Sequence, residues 1–428
     1  MPEPDIPMVA AAEIHGETHG ETHGEVSARA AGCILVGDIS QSSFGGAMHA
    51  ARLTRRELMA GAGCLAMNQA LAANPPAAPV AIARCRSYDQ EMYRSLSRLM
   101  DQIGGIGRLV KGKTVALKLN LTGNPIRYPE RPDMPYRNHP ATVLAVAQLL
   151  AQAGAQRIRI IESFFPASQE PALWARYGLD LNAINNVGCK LEWENTQNMG
   201  LAKAYKRLKV PWGGYIFPAF DLNHSYTDCD VYVSMSKLKD HWVGGVTMAL
   251  KNNFGNTPCS LYGGDCGENG NEDPRQERGP VCHNGTRTPA KGVPQERDAS
   301  TPREAGFRVP RIVTDLVGAR PIDLAIVDGI ESVRGGEGVW IQGVQPIKPG
   351  LLLAGRNPVC TDAVCAAVMG YNPLAERGEK PFLRGDNLIR LAQAVGIGTG
   401  DLSRIELPGL KIKEALCDYG PGPTGKPV

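Results

Sequence analysis

The amino-acid sequence predicts an α/β fold, a largely parallel or mixed sheet covered by helices on both faces, with one long irregular loop insertion. Three observations lead there. From Val80 onward, strand-like apolar runs alternate with helix-like segments, the order that builds a sheet with helices on both sides. The helix-like segments carry start and stop signals. Residues 259–310 break the pattern, being crowded with Gly, Pro, Asn, Glu and Arg and without an apolar period. A stretch of that length reads as an elaborate surface loop, a candidate lid.

Taken in order, Thr114-Val115-Ala116-Leu117-Lys118-Leu119 is a β-type run that follows the turn Lys111-Gly112-Lys113. His139-Pro140 starts a helix through Ala153, closed by Gly154; proline suits the first helical turn and glycine the position just past the end. Residues 157–161 form the second strand, 231–235 the third and 322–327 the fourth. Leu351-Leu352-Leu353-Ala354 is the fifth, followed by a helix from Thr361 to Met369. The expected domain spans residues 78–420 as one unit, because 428 residues suit one large or two medium domains.

The first eighty residues read as an address. Thr54-Arg55-Arg56-Glu57-Leu58-Met59 opens a short, weakly apolar run to Met67, and Ala70-Leu71-Ala72 follows as a small-residue cleavage site. That order marks residues 48–72 as a signal peptide, and the paired arginines resemble the twin-arginine signal that delivers folded proteins to the periplasm. Translocation through that machinery is therefore expected, with mature protein starting near Ala73. Cys64 raises a lipoprotein alternative, but Gly61 stands where a lipobox has leucine. Residues 1–47, with the repeat His15-Gly16-Glu17-Thr18 and its copies, read as a disordered or untranslated extension, with Met48 as the alternative start.

Composition excludes several classes. A net charge of +3 over this length implies no nucleic-acid partner, and no apolar stretch is long enough for a membrane span. The eleven cysteines form neither a dense disulfide framework nor the close runs that hold iron–sulfur clusters. Cys259, Cys266, Cys282 and His283 have no recognised zinc spacing; a disulfide or unbridged thiols are the other readings. Cys360 and Cys365 read as small buried hydrophobes.

Ligands in sheets of this kind bind beyond the carboxyl ends of the strands. Five ends carry polar groups: Lys118-Leu119-Asn120, Glu162-Ser163, Lys237-Leu238-Lys239-Asp240-His241, Asp328-Gly329-Ile330-Glu331 and Gly355-Arg356-Asn357. If the third strand continues, Lys237, Lys239 and His241 share one side. Gly244-Gly245 admits close backbone approach, and a helix from Val246 would offer its positive end to an anion beside Lys251 and Asn252. A solvated basic turn is the plainer reading of the same residues. Asp328, Glu331 and Glu337, near glycine turns, are candidate ligands for a divalent cation and equally ordinary turn residues.

The set Lys118-Leu-Asn120, His139-Pro140, Lys237-Leu-Lys239-Asp-His241, Thr247, Leu250-Lys251-Asn252-Asn253-Phe254-Gly255, Asp328-Gly329-Ile330, Gly336-Glu337-Gly338 and Thr361-Asp362-Ala363 resembles the domain of unknown function 362 family, from about Val80 to Leu407. Many members carry a ferredoxin-like C-x-x-C-x-x-C cluster, and this chain has none. The resemblance implies placement and not chemistry. The expected function is an enzyme acting on a small carboxylate or phosphate, with His241, His139 and Lys237 catalytic. Lys118, Asn120, Lys239, Thr247, Lys251 and Asn252 would bind substrate, and the cofactor is unknown apart from the candidate divalent metal. The competing class is a non-catalytic ligand-binding or cofactor-assembly module.

Overall fold

A computed structural model describes residues 74–428 except Ala202. The extension, the twin-arginine segment with its cleavage site, and Cys33 and Cys64 lie outside the described residues. Seven strands form the main sheet: β1 (Val80–Arg84), β2 (Thr114–Lys118), β3 (Arg157–Glu162), β4 (Lys190–Asn195), β5 (Val231–Lys237), β6 (Leu324–Gly329) and β7 (Leu351–Gly355). Their spatial order is β1-β7-β6-β5-β2-β3-β4. The run from β6 to β4 is parallel throughout, whereas β7 pairs antiparallel with both β6 and β1. The fold is α/β with a mixed, mostly parallel sheet.

Helices cover both faces. On one, α1 (Gln90–Gln102) is capped by Asp89, which accepts from the Glu91 N–H at 2.8 Å, and buries Met92, Leu96 and Leu99. Beside it, α2 (Pro140–Gln152) starts on Pro140 and buries Val143, Val146 and Leu150. These meet Val231, Val233 and Met235 of β5 in one core. On the opposite face lie α3 (Met248–Asn252), α4 (Ala305–Ala319) and α5 (Pro358–Val368), whose Met248, Ile312, Leu316, Val359 and Val364 pack with Tyr232 in the other core. Each such side chain contributes about 1.5–3 kcal/mol when fully removed from water. Every residue of α5 is buried. Among the described residues no helix is long and apolar enough to cross a membrane.

Two expectations change. The insertion is mostly irregular, as expected, but it contains a helical turn at Cys259–Tyr262 and a π-helical turn at Gly279–His283, and it ends earlier than Pro310, at the start of α4. Pro310 lies inside α4, where it removes one backbone hydrogen bond without ending the helix, because the stripe Val309, Ile312, Val313 and Leu316 is fully buried. The end Gly355-Arg356-Asn357 belongs to the antiparallel β7 and so lies at the rim opposite the other polar ends. There Asn357 caps α5, accepting from the Val359 N–H at 3.0 Å.

Candidate functional site

The site grows from the carboxyl ends of β2, β3 and β5. Lys118, the last residue of β2, is register partner to Ser234, so both project toward the α3–α4 face. Its ammonium donates to Glu162 Oε1 at 2.5 Å and to the Leu119 carbonyl at 2.9 Å. Glu162 also accepts from the N–H groups of Leu121 at 2.7 Å and Ser163 at 2.8 Å, which satisfies the carboxylate and ties the two strand ends together. Burial lowers the Lys118 pKa while Glu162 opposes that shift. Gly255 allows this close approach: a Cβ there would sit 3.3 Å from Lys118 Nζ.

Above this pair lies a cavity of about 130 Å³ walled by Lys118, Asn120, Lys239, His241, Thr247, Lys251, Asn252 and Glu337, all named from the sequence, and by Ser163, Phe254, Glu277 and Arg278. Asn252 is held by Ser234 Oγ at 3.1 Å and the Met235 carbonyl at 3.2 Å, and its own Oδ1 accepts from Asn120 Nδ2 at 3.0 Å. The buried Asn120 Oδ1 has no hydrogen-bond partner among the described residues. Lys239 Nζ donates to the carbonyls of Tyr136 at 2.5 Å and Glu337 at 3.0 Å. Arg278 donates to Ser163 Oγ at 2.9 Å and to the Thr257 carbonyl at 3.1 Å. Lys251 Nζ stands 4.3 Å from the centre of the Phe254 ring and has no hydrogen bond among the described residues. Burial brings its pKa down to about 7, with Arg278 and Lys118 adding to the shift and Glu337 opposing it.

His241 Nδ1 accepts from the N–H groups of Val243 and Gly244, both at 3.2 Å, which leaves the proton of the neutral ring on Nε2. Burial, with Lys251 and Lys239 nearby, holds this histidine well below its usual range. Its chemistry here is that of a neutral N–H donor. Glu337 Oε2 accepts from the Trp242 N–H at 2.8 Å, and Oε1 from the Trp340 indole at 3.1 Å. A wider cleft of about 740 Å³ shares His241, Lys251, Phe254 and Arg278 and adds Tyr128, Trp242 and Trp340. Next to Thr247, the buried Met248 holds φ 31, a conformation a non-glycine residue seldom adopts.

Four expected site residues lie elsewhere. Lys237 pairs with Asp328 at 2.9 Å, both fully buried, on the α1–α2 face. Tyr88 completes that cluster, donating to Asp328 at 3.2 Å and stacking on His139 with ring centres 3.6 Å apart. His139 Nδ1 accepts from the Ala141 N–H at 3.2 Å, so this ring is the cap of α2 and not a cavity group. Glu331 pairs with the exposed Lys348 at 2.6 Å. The three carboxylates Asp328, Glu331 and Glu337 are thus apart, and among the described residues no three His, Cys, Asp or Glu side chains gather as metal ligands. Nor is the positive end of the helix after Gly245 open to a ligand: α3 starts at Met248, and Asp362 accepts from its Ala249 and Leu250 N–H groups, both at 2.8 Å. Cys259, Cys266 and Cys282 are buried free thiols.

Residues 115–367, more than half of the chain, match the family model described as a domain of unknown function, DUF362. The chain belongs to the DUF362 family. It is also 29% identical over 195 residues to a thylakoid-associated protein of Synechocystis sp., an overlap of 42% of this chain and 51% of that relative. The chain thus spans about half the length of the curated relative it matches. Every cavity residue named above falls inside the DUF362 match. Reading the sequence missed Arg278 and Glu277, which come from the aperiodic insertion. Tyr88 was also missed, since no pattern ties it to Asp328. Phe254 stood in the quoted Leu250–Gly255 motif but was given no role.

Proposed function

We propose that this DUF362 chain is an exported enzyme acting on a small anionic substrate, a carboxylate or phosphate held in the inner cavity. One observation carries the reading: Lys239, Lys251 and Arg278 face the same small cavity, and among the described residues none has a carboxylate within ion-pair distance. Burial lowers the pKa of Lys239 and of Lys251, with Glu337 opposing both shifts, and an anion bound beside the half-buried Arg278 would favour their charged forms and offset the cost with charge-assisted hydrogen bonds. The Nε2–H of His241 adds a neutral donor, the unpartnered Oδ1 of Asn120 would accept from a protonated group of the ligand, and the aromatic cleft outside would receive the rest of a larger substrate. The catalytic part of the reading is supported by His241 and Lys251 facing one cavity. Export is supported by the ordered signal regions around Arg55-Arg56.

Calorimetric titration with inorganic phosphate tests the site. Binding is expected, weakening at least about tenfold in Arg278→Gln, in line with loss of a charge-assisted contact. With a small carboxylate, whose own charge is constant in this range, the sign of the pH effect follows from Lys251: a bound anion favours its charged form, so affinity should fall as pH rises through about 7. Absence of binding by phosphate and by small carboxylates, or equal affinity in the variant, overturns the proposal.

A further inference from the structure

We propose that Lys251 is a covalent catalyst whose amine condenses with the carbonyl carbon of a small oxo acid. This deepens the anion-site reading and rests on it. Four lysines stand near the carboxyl rim, and three have fixed acceptors: Lys118 has Glu162, Lys237 has Asp328, and Lys239 has two backbone carbonyls. Lys251 has none among the described residues, and its Nζ lies over the Phe254 ring, 4.3 Å from the centre. An ammonium in a cavity seeks acceptors, whereas an amine needs an electrophile. Burial outweighs the two groups that favour its charge, Glu337 and the face of the Phe254 ring. Lys118 and Arg278 repel the proton, Glu337 alone among its charged neighbours attracts it, and burial keeps His241 and His283 neutral beside it. Desolvation together with adjacent cations is the setting that activates a lysine as a nucleophile.

The backbone holds this amine firmly. Lys251 lies in α3, whose start is pinned to α5 by both oxygens of Asp362. The cavity, at about 130 Å³, has the room of about four waters, which suits an acid of a few heavy atoms. Arg278 would take the carboxylate, whose charge would in turn favour the ammonium form of Lys239 beside it, and the Nε2–H of His241 would take the carbonyl oxygen. The Nζ lone pair then adds to the carbonyl carbon, and one N–H proton passes to the oxygen, giving a carbinolamine. Loss of that hydroxyl with the second N–H proton releases one water and leaves the C=N bond. No oxidant or reductant takes part.

Full-chain protein incubated with pyruvate or with glyoxylate and then reduced with borohydride should carry one adduct per chain, mapped by peptide mass analysis to Lys251. Trapping should rise through about pH 7, and phosphate should protect. Lys251→Arg, which keeps the charge, should retain phosphate binding and lose the adduct; Lys251→Met should lose both. Phosphate binding without an adduct overturns the covalent role and leaves the anion site standing. Adducts spread over surface lysines and unchanged in Lys251→Arg also overturn it. Failure of phosphate and both oxo acids to bind overturns the anion site itself.

Discussion

Lys118 and Lys237 end two neighbouring strands at one rim, and the pleat sends them to opposite faces. Lys118 is in register with Ser234, three residues before Lys237, so their parities differ; Lys237 is in register with Asp328 and shares its face. The sequence shows both lysines at strand ends but not the register, which depends on pairing between segments far apart in the chain. Reading Lys237 and Lys239 as one side assumed that the strand continued, yet β5 stops at Lys237 and the alternation lapses there. The consequence for stability is large. Lys237→Ala leaves Asp328 buried without its partner, and breaking a buried pair costs about 3–5 kcal/mol. Urea unfolding should show that loss while phosphate affinity of the folded protein stays at the wild-type value. A change below about 1 kcal/mol, typical of a surface pair, would contradict the buried-pair assignment.

At the scale of elements, the central strands were legible because their apolar runs are buried on both faces, and α2 because its proline start and glycine end are local signals. The edge strand β4, Lys-Leu-Glu-Trp-Glu-Asn, was not read, since three of its six residues are charged and its first is exposed. By sequence, Gly244 and Gly245 offer a ligand a close approach to the backbone. Gly245 instead turns the short hairpin of Asp240–His241 with Gly245–Val246 at φ +74, where a Cβ would meet Phe382 Cδ1 at 2.5 Å. The hairpin positions His241 and Lys239, and α3 positions Lys251 and Asn252. The link between α3 and α5 is Asp362, so Asp362→Ala strands two buried N–H groups. Each unsatisfied donor costs about 1–3 kcal/mol. We expect lower thermal stability, together with weaker phosphate binding as Lys251 loses its fixed position. Binding at wild-type strength in a folded variant would show that α3 is held by packing alone.

The whole molecule adds what neither residue nor element reading supplies, because the insertion is folded down onto the rim by tertiary contacts. Arg308, fully buried in α4, donates to Glu296 at 2.5 Å and to the Val281 carbonyl at 3.0 Å, drawing the segment inward so that Arg278 reaches the cavity. No local pattern in that segment marks Arg278, whereas the lysines and asparagines of the site stand at strand ends and in a motif where sequence reasoning looks for them. The same packing decides the fate of the cysteines. All nine in the described residues are free; six are buried, and Cys189, Cys229 and Cys417 are partly so. Burial pushes the Cys259 thiol up to about 11 and the Cys282 thiol to about 12, and the thiolate is the form that reacts. A protein carried across the membrane already folded would keep these thiols out of reach of the oxidising compartment. We therefore expect protein recovered from the periplasm to start near Ala73 and, once denatured without reductant, to titrate as nine thiols, Cys33 and Cys64 lying in segments that are removed or untranslated. In the native state no more than the three partly buried cysteines should react promptly. Replacing Arg55 and Arg56 by lysine should leave the precursor in the cytoplasm. A lower thiol count in the exported protein would mean that bridges form there, and export unaffected by the double replacement would remove the twin-arginine route from the proposal.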